Sequence, residues 1–176
     1  MNIVSHMFLG VIILKILNYV NPENFPFNST MIILAMFFST LPDLEGLWSK
    51  KKIHEHHETP FHTTLFWMTV TFILLMINFL FEGTLIYIVF LLLITVLGHI
   101  LFDYIFGRFS GVPMFQPFCS RQYSLFEILS FGGEVNPRHI HKKGYKKFVK
   151  KYFENKYLIA LESLIWILGL AFLIIR

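Results

Sequence analysis

A chain of 176 residues that is 55% hydrophobic, with 21 Phe and a mean hydropathy of +0.61, is too apolar and too aromatic for an ordinary soluble domain of its size. It reads as a single membrane-embedded domain spanning residues 1–176, because several spans and their loops leave no room for a separate soluble core. The lone cysteine, Cys119, excludes an intramolecular disulfide and a thiolate-rich zinc site, and the net charge of +4 matters through its placement.

In chain order, five segments approach the ~20 residues that a helix needs to cross the hydrocarbon core: Ile3–Val20, Phe25–Leu41, Thr63–Phe81, Leu85–Phe106 and Tyr157–Ile175. The expected fold is therefore all-α, a polytopic membrane helical bundle of about five transmembrane helices. The first segment lacks a basic leader and a cleavage pattern and carries Lys15 inside its apolar run, so it is expected to be a retained helix. The second begins near Pro26, a position where proline is tolerated.

Five spans place the N-terminus, the loop from Pro42 to His62 and the loop at about 107–156 on one side. Thirteen of the fifteen basic residues fall there: Lys50, Lys51 and Lys52 in the first loop and ten more between Arg108 and Lys156 in the second. The positive-inside rule then predicts a multi-pass membrane protein with a cytoplasmic N-terminus and an external C-terminus. Within the long loop, Ser124–Glu127 has the form of a capping box and predicts a short helix through Phe131. From Lys142 to Lys156, Tyr145, Phe148 and Tyr152 recur at helical spacing among lysines. Such a helix either lies on anionic lipid headgroups or caps the bundle as a solvated charged element. Membrane lipid is the expected partner, and nucleic acid is not.

This order of spans gathers chemically capable side chains at the cytoplasmic end. His6 lies near the start of the first span, Asp43 follows the second, His57 and His62 precede the third, and His99 and Asp103 sit toward the end of the fourth. His99 and Asp103 are four apart, so both project from one helical face. Ionisable residues in an apolar span usually face the protein interior, a watery cavity or each other. Four imidazoles and two carboxylates could supply two adjacent divalent ions, with a carboxylate between them and positions left for water. Asp43 taken alone reads equally well as a helix cap. Glu45 and Glu162 could be extra ligands or groups that orient a histidine, although snorkelling or pairing with lysine suits Glu162 better. His54, His56 and His57 read as part of a solvated polar loop, and His139 and His141 as surface residues.

His6 with Gly10, the run PDLE from Pro42 to Glu45, HETPFHT from His57 to Thr63, GHILFD from Gly98 to Asp103, and GVPMFQPF from Gly111 to Phe118 together resemble the YdjM-like family. These are LexA-regulated inner-membrane proteins regarded as membrane-bound metal-dependent hydrolases, and the resemblance covers roughly residues 1–125. It implies that His6, Asp43, His57, His62, His99 and Asp103 match the family's polar positions. A distant likeness drawn between the family and zinc-dependent phospholipase C implies phosphoester hydrolysis. The chain departs from the family at Glu45, where a second aspartate is usual, and at Glu58-Thr59, which replaces an Arg-Gly. Arg121 is a candidate to replace the lost positive charge.

Residues and resemblance together predict a cytoplasm-facing dinuclear centre that hydrolyses an ester or phosphoester near the lipid headgroup layer. Zinc is the expected metal, with manganese as the alternative and one or two ions per chain. Asp43 is the expected bridging ligand, His6, His57, His62 and His99 the terminal ligands, and Asp103 a ligand or general base acting beside His99. Arg121 or the lysine-rich helix would hold an anionic headgroup. The rival expectations are a metal or proton transporter, and a non-catalytic protein whose metal only staples its helices.

Overall fold

The computed structural model describes residues 3–44, 60–80, 83, 85–106 and 156–175. His57, Arg121, Glu45, the capping box at Ser124–Glu127 and the lysine-rich segment up to residue 155 lie outside the described residues. Among the described residues there are five α-helices: α1 (Ile3–Val20), α2 (Ser29–Phe38), α3 (Thr64–Leu80), α4 (Ile86–Phe106) and α5 (Lys156–Ile174). The described residues between α2 and α3 include two short 3₁₀ turns, Leu41–Leu44 and Pro60–His62.

The central helix is α1, which packs on α2, α4 and α5. Its buried residues Ser5, His6, Leu9, Gly10, Val11 and Leu14 spread around more than half of the helix circumference, as packing on three helices requires. At Gly10 the α2 backbone comes so close that a Cβ would overlap the Ala35 carbonyl and lie 2.7 Å from Ser39 Oγ. At Gly169 of α5 a Cβ would lie 2.7 Å from the Cβ of Phe8. Small residues at such crossings are what let membrane helices approach closely. A second contact, Trp166 Nε1 donating to Ser5 Oγ at 2.8 Å, shows that α5 runs parallel to α1. The helices α1 and α2 are antiparallel, as are α3 and α4, which are joined through Gly83 at φ 76° with Asn78 Oδ1 accepting from the Leu85 amide at 2.7 Å.

The polarity pattern is that of a protein inside hydrocarbon. Along α3 the exposed side chains include Leu65, Met68, Phe72, Ile73, Met76 and Ile77, while Thr71 and Asn78 are buried. Polar residues elsewhere in the helices are also turned inward, among them Ser5, His6, Thr95, His99, Asp103 and Glu162. Two apolar clusters fill the interior. One joins Val11 and Leu14 to Met31, Ile32, Ala35 and Leu91, and the other joins Trp67 to Leu92, Val96 and Ile100. Lys15 is accommodated by placing its ammonium 4.3 Å from the centre of the Phe27 ring.

Each of the five expected segments contains a helix, but the helices differ in length. Ile3–Val20 and Ile86–Ile105 are long and apolar enough to cross a membrane, whereas the apolar helices Ser29–Phe38, Thr64–Leu80 and Ile159–Ile174 are shorter. The largest difference is at α2, which starts at Ser29 rather than Phe25 and rises only ~15 Å over its length. Asn28 is the reason: its side chain accepts from the Met31 amide at 3.0 Å and caps the helix there. Upstream, Asn18 Nδ2 donates to the Phe25 carbonyl at 3.0 Å and holds the chain in turns. Apolar residues continue through these turns, so hydropathy extends past the helix end.

Candidate metal centre

Five of the predicted side chains meet at one end of the bundle. α1 contributes His6, α4 contributes His99 and Asp103 from successive turns, and the two 3₁₀ turns contribute Asp43 and His62. His6, His62 and His99 are fully buried, Asp103 is 1% exposed, and Asp43 forms the rim with a side chain 15% exposed.

Local hydrogen bonds explain each placement. The Asp43 amide donates to the Thr40 carbonyl at 3.0 Å, which winds the Leu41–Leu44 turn and aims the carboxylate inward. Asp43 therefore lies within a 3₁₀ turn and does not cap an α-helix among the described residues. His62 is set by a turn fastened to α3, where Trp67 Nε1 donates to the Phe61 carbonyl at 2.6 Å and Thr63 Oγ1 to the Pro60 carbonyl at 2.7 Å. His99 Nδ1 lies 2.6 Å from the Ser39 carbonyl, which can only accept, so Nδ1 carries the proton and donates. Its Nε2 is then left with a lone pair directed into the cluster.

His99 Nε2 lies 3.1 Å from Asp103 Oδ2 and 3.6 Å from Asp43 Oδ1. His62 Nε2 lies 3.5 Å from Asp43 Oδ1 and 3.8 Å from Asp103 Oδ2. His6 Nε2 lies 3.2 Å from Asp103 Oδ1 and 4.0 Å from Asp43 Oδ2, and its ring stacks on that of His99 with centroids 3.6 Å apart. Burial opposes ionisation of Asp43, but His99, His62 and His6 together outweigh it and hold the carboxyl well below the usual carboxylate range.

This donor set fits a divalent cation. Ligand atoms of Asp43, His62, His99 and Asp103 all lie within 4.8 Å of one another. Donors bound to one ion at about 2.0–2.2 Å sit roughly 3–4 Å apart, which is the spacing found between the imidazole and carboxylate atoms. His99 Nε2 makes no hydrogen bond, although a carboxylate oxygen is 3.1 Å away. An imidazole nitrogen facing a carboxylate at that distance calls for a proton or a metal ion between them. Two ionised carboxylates among neutral imidazoles would also bury two negative charges, a cost of several kcal/mol per ion that a divalent cation offsets.

Glu162 is 5% exposed on α5, one turn before Trp166, so its side chain is buried and does not snorkel to the surface. Ser39 is not legible in the sequence as part of the site. Its carbonyl orients His99, and its Oγ donates to the His6 carbonyl at 2.7 Å. The one signal it offers is that of a small polar residue ending an apolar run four positions before Asp43.

Residues 1–175 match the sequence model of a family described as YdjM inner membrane protein. No curated protein and no solved structure matches the chain.

Proposed function

The chain belongs to the YdjM inner membrane protein family, and on that premise we propose that it is a membrane-bound metal-dependent hydrolase acting on an ester or phosphoester at the lipid headgroup layer. The observation that carries this reading is the His99 imidazole, whose tautomer is held by Ser39 so that an unbonded Nε2 faces two carboxylates. Asp43, His62, His99 and Asp103 hold the ion, and zinc suits their nitrogen and oxygen donors. The ion supplies Lewis acidity and lowers the pKa of water toward neutrality. Asp103 serves as a ligand, since its Oδ2 lies 3.1 Å from His99 Nε2.

Location favours hydrolysis over transport. Transporter sites tend to lie near the bilayer midplane on interrupted helices. Here the cluster occupies one end of the bundle, and one turn further in lie Leu9, Gly10, Thr95 and Val96, all buried. Thr95 Oγ1 spends its hydrogen bond on the Leu91 carbonyl at 2.8 Å. Substrate approach is left to the Asp43 rim, and Arg121 and the lysine-rich segment are the sequence's candidates to hold an anionic headgroup. The alternating helix directions are compatible with a multi-pass arrangement, and the placement of the basic residues would put the cluster on the cytoplasmic side.

The test offers detergent-purified wild type and Asp103→Asn a panel of phospholipids and chromogenic phosphoesters, with zinc or manganese supplied. Wild type should turn over at least one substrate in a metal-dependent way, and the variant should lose bound metal and, with it, metal-dependent turnover. Absence of turnover by metal-loaded wild type on every ester would overturn the hydrolase reading.

A further inference from the structure

The three imidazoles do not address the same carboxylate oxygens. His62 and His99 both face Asp43 Oδ1, at 3.5 and 3.6 Å, and Asp103 Oδ2, at 3.8 and 3.1 Å. His6 faces the other oxygen of each pair, Asp103 Oδ1 at 3.2 Å and Asp43 Oδ2 at 4.0 Å. Both carboxylates are thus turned so that one oxygen serves each side.

His6 is not needed to complete a four-donor, one-ion site. The four side chains whose donors converge most tightly are Asp43, His62, His99 and Asp103, without it. Yet His6 is fully buried, and neither of its ring nitrogens makes a hydrogen bond. Buried polar groups are nearly always satisfied, so such a side chain calls for an ion or a water beside it. The stacking with His99 supplies a scale, since the two rings are 3.6 Å apart and inclined by 19°. Paired ions in two-metal hydrolytic sites are typically about 3.5–4 Å apart.

We propose that the cluster holds two divalent cations in unequal positions, with Asp43 and Asp103 both bridging them. The first position takes His62, His99, Asp43 Oδ1 and Asp103 Oδ2, and the second takes His6, Asp103 Oδ1 and Asp43 Oδ2. Four protein donors complete a tetrahedral shell, as in structural sites, whereas three leave a coordination position for water or a substrate oxygen, as in catalytic ones. The first ion therefore serves mainly to organise the cluster, and the second, on His6, is the exchangeable one that meets substrate. This assignment rests on the metal reading above but not on hydrolysis.

The experiment titrates full-length protein in detergent with manganese, reading bound metal per folded chain and the electron paramagnetic resonance spectrum. Wild type should bind two ions and show the spectrum of a spin-coupled pair. His6→Ala and the bulkier His6→Gln should bind one ion with an uncoupled six-line spectrum, their helical content unchanged by circular dichroism. Wild type that saturates at one ion with no coupled signal overturns the proposal, whether or not either variant folds, and leaves the hydrolase reading standing if that protein hydrolyses an ester. Two ions retained in a folded His6 variant also overturn it. Wild type that binds no ion overturns both readings.

Discussion

Ser39 offers no ligand atom to the cluster, yet it governs two of the imidazoles. Its carbonyl accepts the His99 Nδ1 proton, and its hydroxyl ties the His6 backbone to the end of α2. Partners of this kind set the tautomer and ring orientation of a metal-binding histidine. Protonation is the natural competitor for the nitrogens they aim. The Asp43 carboxyl is held well below its usual range, so it is already ionised throughout the pH interval in which free imidazoles titrate, near about 6.5. Imidazole protonation, rather than Asp43, should then set metal release. Metal occupancy is expected to be full at neutral pH, to fall on acidification, and to return on neutralisation, because histidine must be neutral to bind. Equilibrium dialysis followed by elemental analysis over an acid titration checks it, and occupancy that never falls on acidification while the protein stays folded would contradict histidine ligation. The Asp43 contribution has the same sign but lies lower: it is present above the unfolded carboxyl pKa and is lost as pH falls through the depressed folded value.

Between elements, the site depends on how closely α1 and α2 approach. His6 is placed against Ser39 because Gly10, one turn along, lets the Ala35 backbone into contact. A Cβ at Gly10 meets a carbonyl that cannot move without displacing α2. At Gly98 of α4 the nearest atom is Ile13 Cδ1 at 2.7 Å, the end of a side chain that can change rotamer. Gly10→Ala is therefore expected to destabilise the protein by about 1–3 kcal/mol, the range for overpacking, and to lower metal content although no ligand is altered. Gly98→Ala should be close to neutral, since the gain in helix propensity of ~1 kcal/mol offsets a small rearrangement. Thermal unfolding in detergent, read together with bound metal, separates the two. Equal losses would show that the α1–α2 seam has no special part in building the site.

At the scale of the whole molecule, the helix directions and the charge asymmetry agree. α1 and α5 run parallel, which puts the start of both helices, and His6 with them, at one end. The chain carries thirteen of its fifteen basic residues in the segments assigned to that end. In a variant with Cys119 replaced, single cysteines introduced as Lys50→Cys and Lys147→Cys should react only with a cytoplasmic reagent, and Arg176→Cys only with an external one. Opposite accessibility of positions 50 and 147 would remove the basis for an alternating five-pass topology.

Local composition and spacing suffice to specify the helical class, the position of most helices and the residues able to hold a metal. Hydropathy marks α1 and α4 to within a residue, and the i, i+4 separation of His99 and Asp103 is enough to put them on one helical face. Hydropathy overextends α2, since it does not register the Asn28 cap that starts the helix late. Which candidates meet is a matter of tertiary packing. His6, Asp43, His62, His99 and Asp103 come together across gaps of up to 60 residues between hydrogen-bonded partners, as between Ser39 and His99. Packing also buries Glu162, turns Asp43 inward on a 3₁₀ turn, and divides the carboxylate oxygens between two sides of the cluster. Those outcomes depend on interhelical distance, and that distance is set by the fit of one helix against another rather than by any local run of residues.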